Sequence, residues 1–154
     1  MAATLGSPGP ITGPGVDSGV YRSTDGGKTW KVLNCGFETS RVTSIRIDPN
    51  NPDIAVAGLE GGLSSFTGAG SDKYYPGGIY RTEDGGKSWA SVSKGLPQPA
   101  WDLVYRHALD ISGDTLCFGT TTGNVYLSSD GGDSWQCLGN HFPPVYAVHW
   151  APTA

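Results

Sequence analysis

The 154-residue chain has little of several features that would mark particular classes of protein. It has no apolar run approaching the ~20 residues that a membrane-spanning helix requires. Its first residues, MAATLGSPGP, lack the charged and apolar regions of a signal peptide. Charged residues make up 16% of the chain and the net charge is −4, whereas a sequence-independent nucleic-acid binder needs a positive face. We therefore expect neither a membrane nor nucleic acid as a partner.

Cysteine is also scarce, with only Cys35, Cys117 and Cys137 in the whole chain. The number is odd, no CxxC occurs, and no histidine stands at metal-ligand spacing, so we favour free thiols over a disulfide or a metal site. Free thiols favour a reducing compartment such as the cytoplasm, although the sequence does not fix the location. There is no P-loop, no zinc spacing and no GxGxxG that opens a helix. The sequence therefore predicts no cofactor.

What the chain does have is glycine and aromatic residues. Its 24 Gly and 11 Pro would suit a disordered chain, but five Trp and seven Tyr would not, because disordered chains are poor in aromatics. No segment has convincing helical periodicity. The length suits one domain, covering residues 1–154.

A ten-residue segment occurs three times without gaps, as YRSTDGGKTW at 21–30, YRTEDGGKSW at 80–89 and YLSSDGGDSW at 126–135. Each copy reads as a hairpin turn in which the glycine pair supplies positive φ and the aspartate accepts backbone N–H groups. The tryptophan then packs over the turn, and its indole N–H needs an acceptor. The residues with this structural role are Ser23, Asp25, Gly27, Trp30, Thr82, Asp84, Gly86, Trp89, Ser128, Asp130, Gly132 and Trp135.

Short β-prone runs surround each copy and repeat in the same order. With the strands of one unit called A to D, each copy forms the turn between C and D, and the order along the chain is BCD, ABCD, ABCD, A. The predicted A strands are 41–48, 101–109 and 145–150, and the B strands are 2–6, 54–58 and 115–120. The C strands are 19–23, 78–82 and 124–128, and the D strands are 30–33, 89–92 and 135–138. Serial four-stranded units of this kind predict an all-β protein of the β-propeller type.

The pattern S/T-x-D-G-G-K/D-S/T-W resembles the Asp-box, or BNR repeat, and the repeating unit covers almost the whole chain. Asp-boxes occur in sialidases, xyloglucan-cleaving glycoside hydrolases, sortilin-type receptors and a photosystem assembly factor. Residues 94–150 also resemble the C-terminal half of bacterial BNR-repeat proteins labelled sialidase-like or glycosyl hydrolase. The resemblance implies a propeller of Asp-box blades.

The strand inventory gives blade one residues 1–33 plus 145–150, blade two 41–93 and blade three 101–138. The last A strand would complete the first blade by strand exchange. Three blades do not close a ring, and an open arc exposes its terminal faces. We therefore expect either a homodimer that closes a six-bladed ring or the remaining blades of a longer propeller.

A binding site is expected on the rim formed by the B–C and D–A loops, where the repeats diverge. The B–C loop of blade two, residues 59–77, is the longest, and long loops in compact domains are often functional. Paired aromatics beside carboxylates suit sugar stacking or a protein contact. The candidate ligand-binding residues are Glu60, Asp72, Lys73, Tyr74, Tyr75, Trp101, Asp102 and His141.

Two functional hypotheses follow from this rim. The favoured one is a non-catalytic binding or assembly module for a glycan or a protein. The alternative is a glycoside hydrolase of the sialidase-like superfamily, which would need two carboxylates, or a tyrosine nucleophile with a carboxylate partner. Its candidate catalytic residues are Glu60, Asp72, Asp102 and Tyr74. Against sialidase activity, the chain lacks the Arg-Ile-Pro motif, and its nearest string is RIDP at 46–49.

Overall fold

The computed structural model describes residues 2–4, 19–33, 42–60, 62–63, 74–75, 77–98, 104–105 and 107–151. These residues form strands and turns, and within these ranges no helix occurs, so none is present that could span a membrane. The strands make three antiparallel sheets of three, four and four strands and one two-stranded hairpin. The all-β prediction is confirmed.

Each sheet is a meander in which consecutive strands are hydrogen-bonded neighbours. The first sheet contains β1 (Ala2–Thr4), β2 (Gly19–Arg22) and β3 (Lys31–Val32). The second contains β4 (Val42–Ile47), β5 (Ala55–Leu59), β8 (Gly78–Thr82) and β9 (Ala90–Ser91). The third contains β10 (Leu109–Ser112), β11 (Thr115–Gly119), β12 (Val125–Ser128) and β13 (Gln136–Gly139). The hairpin of β6 (Gly62–Leu63) and β7 (Tyr74–Tyr75) extends from the loop between β5 and β8.

The predicted order BCD, ABCD, ABCD matches these three sheets, but the A strand of the third sheet was misplaced. The prediction put it at 101–109, whereas β10 occupies Leu109–Ser112. The reason is a two-residue hairpin turn at Gly113 and Asp114, where Gly113 has a φ of 58° and Ser112 pairs directly with Thr115. This tight turn lets the strand continue three residues further than the sequence pattern indicated.

The predicted last A strand, residues 145–150, is also not a regular strand. Its backbone forms one isolated parallel bridge, from Ala147 to His107, on the inner side of the third sheet. Its other N–H groups bond irregularly, with Val145 donating to the Thr120 carbonyl at 3.0 Å and Trp150 to the Asp110 carboxylate at 2.9 Å. Exchange of this segment into a first blade stays a prediction.

The sheets stack face to face around two hydrophobic clusters. One cluster joins the first and second sheets through residues such as Val20, Leu33 and Trp89, and the other joins the second and third through Ile79 and Trp135. The second sheet is covered on both faces, and every residue of β5 is buried. Its run of apolar and small residues fits this position, because a strand covered on both sides loses the apolar–polar alternation of a half-exposed strand.

Candidate functional site

All three boxes have the same internal hydrogen-bond network. In the first, the Ser23 hydroxyl donates to Asp25 Oδ1 at 2.8 Å and accepts the Gly27 N–H at 2.8 Å. The Asp25 carboxylate also accepts the N–H and the hydroxyl of Thr29, at 2.9 and 2.6 Å. Equivalent bonds occur around Asp84 and Asp130.

These bonds are charge-assisted and favour the ionised carboxylate. Chiefly through the Thr29 hydroxyl and N–H, they lower the pKa of Asp25 from 3.8 to about 2. The pKa values of Asp84 and Asp130 are lowered in the same way by Ser88 and Ser134. A carboxylate held this firmly in its charged form by its own turn is a structural group and a poor proton donor at neutral pH.

The hydroxyl four residues after each aspartate was not among the predicted structural residues. Thr29, Ser88 and Ser134 each provide two of the bonds to their carboxylate. The signal was present in the sequence, because a hydroxyl residue recurs at this position in all three copies.

The boxes also join neighbouring sheets. Arg22 of β2 donates to the Gly85 carbonyl and to Asp53, both at 3.0 Å, and so reaches the second box. Its equivalent, Arg81 of β8, donates to Asp133 of the third box at 2.8 Å. In both repeats the guanidinium group therefore joins one sheet to the box of the next.

The predicted ligand residues are only partly described. Glu60 is half-buried at the end of β5, Tyr74 and Tyr75 form β7 opposite Leu63 and Gly62, and His141 is exposed in the turn after β13. Asp72, Lys73, Trp101 and Asp102 lie outside the described residues, as does Cys35. Cys117 and Cys137 are free thiols, the first buried and the second exposed.

A pocket opens on the predicted rim, between the second and third sheets. It is an open pocket, and the roughly 370 Å³ of empty space within its outline includes open solvent. It lies at the ends of β5 and β11 and the start of β8, beside the segment that connects β9 to the third sheet. Its lining is mostly apolar and consists of Leu59, Gly78, Ile79, Leu96, Pro97, Val104, Phe118, Thr120 and Tyr126.

Sequence reasoning missed this pocket because most of its lining belongs to strands. Phe118 and Tyr126 stack inside it with their ring centroids 5.1 Å apart, on adjacent strands β11 and β12. The available signal was in the connecting segment, where Leu96 and Pro97 place apolar groups in a loop.

Beside the pocket, two tyrosines form an exposed aromatic pair. Tyr105 follows the lining residue Val104, and its ring stacks on Tyr146 with centroids 5.2 Å apart and an interplanar angle of 20°. Tyr105 and Tyr146 are 38% and 63% exposed. The pair provides an exposed, flat aromatic surface next in sequence to the lining residue Val104.

A polar cluster surrounds Asp110 of β10. Its carboxylate accepts the Trp150 N–H at 2.9 Å and lies 3.1 Å from His149 Nδ1 and 3.5 Å from Arg46 Nε. Burial would raise the pKa of Asp110, but the bonds from Trp150 and Ile111 and the charges of His149 and Arg46 hold it below its ordinary value. This carboxylate therefore anchors residues 145–151 to β10.

Comparison with known proteins agrees with this architecture. The family model for the BNR/Asp-box repeat matches residues 21–32, which contain the first box. The chain therefore contains an Asp-box repeat. A search of the curated proteins finds no match for its sequence.

Solved structures of the propeller class share the fold of this Asp-box protein. The GH74 xyloglucanase from Xanthomonas campestris matches with a TM-score of 0.56 and 16% identity, over 78% of this chain and 17% of its own. An ancestral GH74 enzyme matches with 0.58 and 18%, over 83% and 16%. YCF48 bound to D1 peptide matches with 0.53 and 21%, over 85% and 38%. The Asp-box chain thus spans about a sixth of the GH74 proteins and under two fifths of YCF48, and these likenesses support the fold.

Proposed function

We propose that this Asp-box protein is a non-catalytic binding module whose rim pocket takes an apolar side chain of an extended protein segment. The observation that carries the proposal is the apolar lining between the second and third sheets. Among the described residues of its lining there is no charged side chain, so an apolar anchor would displace water from them without leaving one of their charges unpaired. The exposed pair Tyr105 and Tyr146 would then contact the rest of the segment.

The structural neighbours are compatible with this proposal. One of them is a propeller described as bound to a D1 peptide. One GH74 neighbour is a xyloglucanase, so a glycan is the second candidate ligand. The observation in this chain that favours a glycan is the stacked pair of tyrosines. A sugar also needs several hydrogen-bonding groups, and the part of the pocket lining that the structure describes offers only the hydroxyls of Thr120 and Tyr126 among its side chains.

The alternative of a glycoside hydrolase rests on Glu60, Asp72, Asp102 and Tyr74. Of these, only Glu60 has a described side chain environment, and it is not part of the pocket lining. Clear turnover of a fluorogenic sialoside or a xyloglucan oligosaccharide that Glu60→Gln and Asp72→Asn abolish in a folded protein would replace the binding proposal.

We propose as well that the chain self-associates, because the faces of its first and third sheets carry exposed large apolar residues. Trp30 and Leu138 are 50% and 54% exposed. Exposed apolar side chains on the terminal faces of stacked sheets favour association.

The binding proposal can be tested with a phage-displayed random peptide library. We expect enrichment of peptides with a large apolar residue, and at least ~10-fold weaker binding by Leu96→Asp, which puts a charge at the pocket. Ser93→Asp is the matched control, because it adds the same charge to an exposed position on the same connection. Leu96→Met should keep binding.

No enriched peptide, or equal binding by Leu96→Asp and Ser93→Asp, would contradict the peptide proposal. Binding to a glycan array that is lost when Tyr105 and Tyr146 are substituted would favour a glycan ligand instead.

A further inference from the structure

The first box differs from the other two in what covers it. Trp30 is 50% exposed, whereas Trp89 and Trp135 are 5% and 6% exposed. A Cβ placed on Gly26 would meet no atom within 4 Å, while the equivalent atom on Gly85 would meet the Arg22 side chain of the preceding sheet. The first box therefore exposes a face that a neighbouring sheet covers in the second and third boxes.

The second box shows what such a face binds. The Trp89 indole N–H donates to the Leu33 carbonyl of the first sheet at 3.2 Å. The Leu33 side chain packs over Gly86, the second glycine of the box. A tryptophan and a glycine of one box are thus covered by the leucine three residues after the preceding box's tryptophan.

The third sheet carries the matching leucine on its far face. Leu138 stands three residues after Trp135 in sequence, as Leu33 stands three after Trp30, and it is 54% exposed; a β-bulge puts its neighbour Gly139 opposite Val125. Leu127 occupies the position of Arg22 and Arg81, so this face has an aliphatic group where the two internal contacts have a guanidinium. The far face of the third sheet is therefore an apolar version of the surface that covers the second box.

The first and third sheets are also complementary along the edge where an A strand pairs. In the second and third sheets, the B strands β5 and β11 pair with the A strands β4 and β10. The equivalent strand of the first sheet, β1, pairs only with β2 in the described part of the chain. Residues 145–151 lie extended against the third sheet through Val145, Val148 and Trp150, where they could meet that edge.

We propose that two copies of this chain bind head to tail, with the first box of each copy docked on the third sheet of the other. Trp30 of one copy packs against Leu138 of the second, as Trp89 packs against Leu33. Residues 145–150 of the second copy lie along β1 of the first. Each copy uses both surfaces, so two identical contacts close the pair. The inference rests on the self-association proposed above and names its surface.

The test is sedimentation velocity over a concentration series, with near-UV circular dichroism as a check on folding. The wild-type chain should have twice its monomer mass of 16.1 kDa. Trp30→Glu and Leu138→Glu should each weaken dimerisation at least ~10-fold, because each puts a charge into both contacts. Asn50→Glu, on an exposed turn of the second sheet, is the control and should dimerise like the wild type.

Mixing the two variants identifies the head-to-tail arrangement. One of the two contacts in a mixed dimer joins an intact Trp30 to an intact Leu138. If Leu138→Lys is used in place of Leu138→Glu, the other contact brings opposite charges together, so this mixture should associate more strongly than either variant alone. A wild-type chain that stays monomeric overturns both this inference and the self-association. A wild-type dimer that Leu138→Glu leaves unchanged, or a mixture that shows no recovery, overturns the docking surface and leaves self-association standing.

Discussion

The first and second boxes have nearly the same sequence and the same hydrogen bonds, yet their tryptophans have opposite environments. The bonds around Asp25 and Asp84 agree to within 0.1 Å. Trp89 is 5% exposed and bonds to the preceding sheet, whereas Trp30 is 50% exposed and bonds back to Gly27 of its own turn at 3.0 Å. The comparison separates two contributions. The turn is formed by local contacts, and the burial of its tryptophan depends on a neighbouring sheet.

The largest difference should come from removing each tryptophan. Trp89→Ala deletes a buried ring and should lower the free energy of unfolding by about 3–5 kcal/mol. Trp30→Ala removes a half-exposed ring and should cost under about 1 kcal/mol in the monomer. Urea unfolding of both variants at low protein concentration measures the two values. Equal losses would mean that the two boxes are covered alike.

The glycines of the two boxes give a smaller contrast. Gly26 and Gly85 have φ values of 73° and 74°, so alanine at either position costs about 1–2 kcal/mol in backbone strain. At Gly85 the new Cβ would also displace the Arg22 guanidinium from Asp53 and the Gly85 carbonyl. We expect Gly85→Ala to destabilise by about 1 kcal/mol more than Gly26→Ala, as measured by urea unfolding. A larger loss for Gly26→Ala would contradict the contact between the sheets.

The smallest effect should be the response of the boxes to acid, which tests whether their local networks are alike. The pKa of Asp25 is about 2 in the folded chain and 3.8 ordinarily. A lowered folded pKa adds stability that is complete above the unfolded value and is lost as the pH falls through the folded value. The urea concentration at the midpoint of unfolding should therefore decrease as the pH is lowered from about 4 to about 2. Asp25→Asn and Asp84→Asn should flatten this fall to similar extents, and a flattening by only one of them would break the equivalence.

Much of the fold could be predicted because it depends on short-range patterns. The three copies of the ten-residue box marked every C–D turn, and the alternation around them located β2, β8 and β12. The A strands were harder, because nothing local distinguishes 101–109 from Leu109–Ser112 except the Gly113–Asp114 turn. Residues 145–150 contain strand-forming residues, but their partners His107, Asp110 and Thr120 are distant in sequence.

For the candidate site, the sequence predicted the rim on which it lies but not the residues that line it. The divergent loops indicated the rim, but the pocket depends on Val104 and Leu96 meeting Phe118 and Tyr126 across two sheets. Such a contact is set by the stacking of blades, which the sequence pattern of one blade does not encode. The exposure of Trp30 was missed for the same reason, since its box is as complete in sequence as the others.

The most direct test of the account is hydrogen–deuterium exchange of the wild-type chain at a high and a low protein concentration, compared in segments 24–33 and 83–92. We predict that dilution, which releases the second copy, speeds exchange in the first segment and leaves the second unchanged. Exchange that is independent of concentration in both segments would contradict the claim that the first box is a docking surface for a further blade.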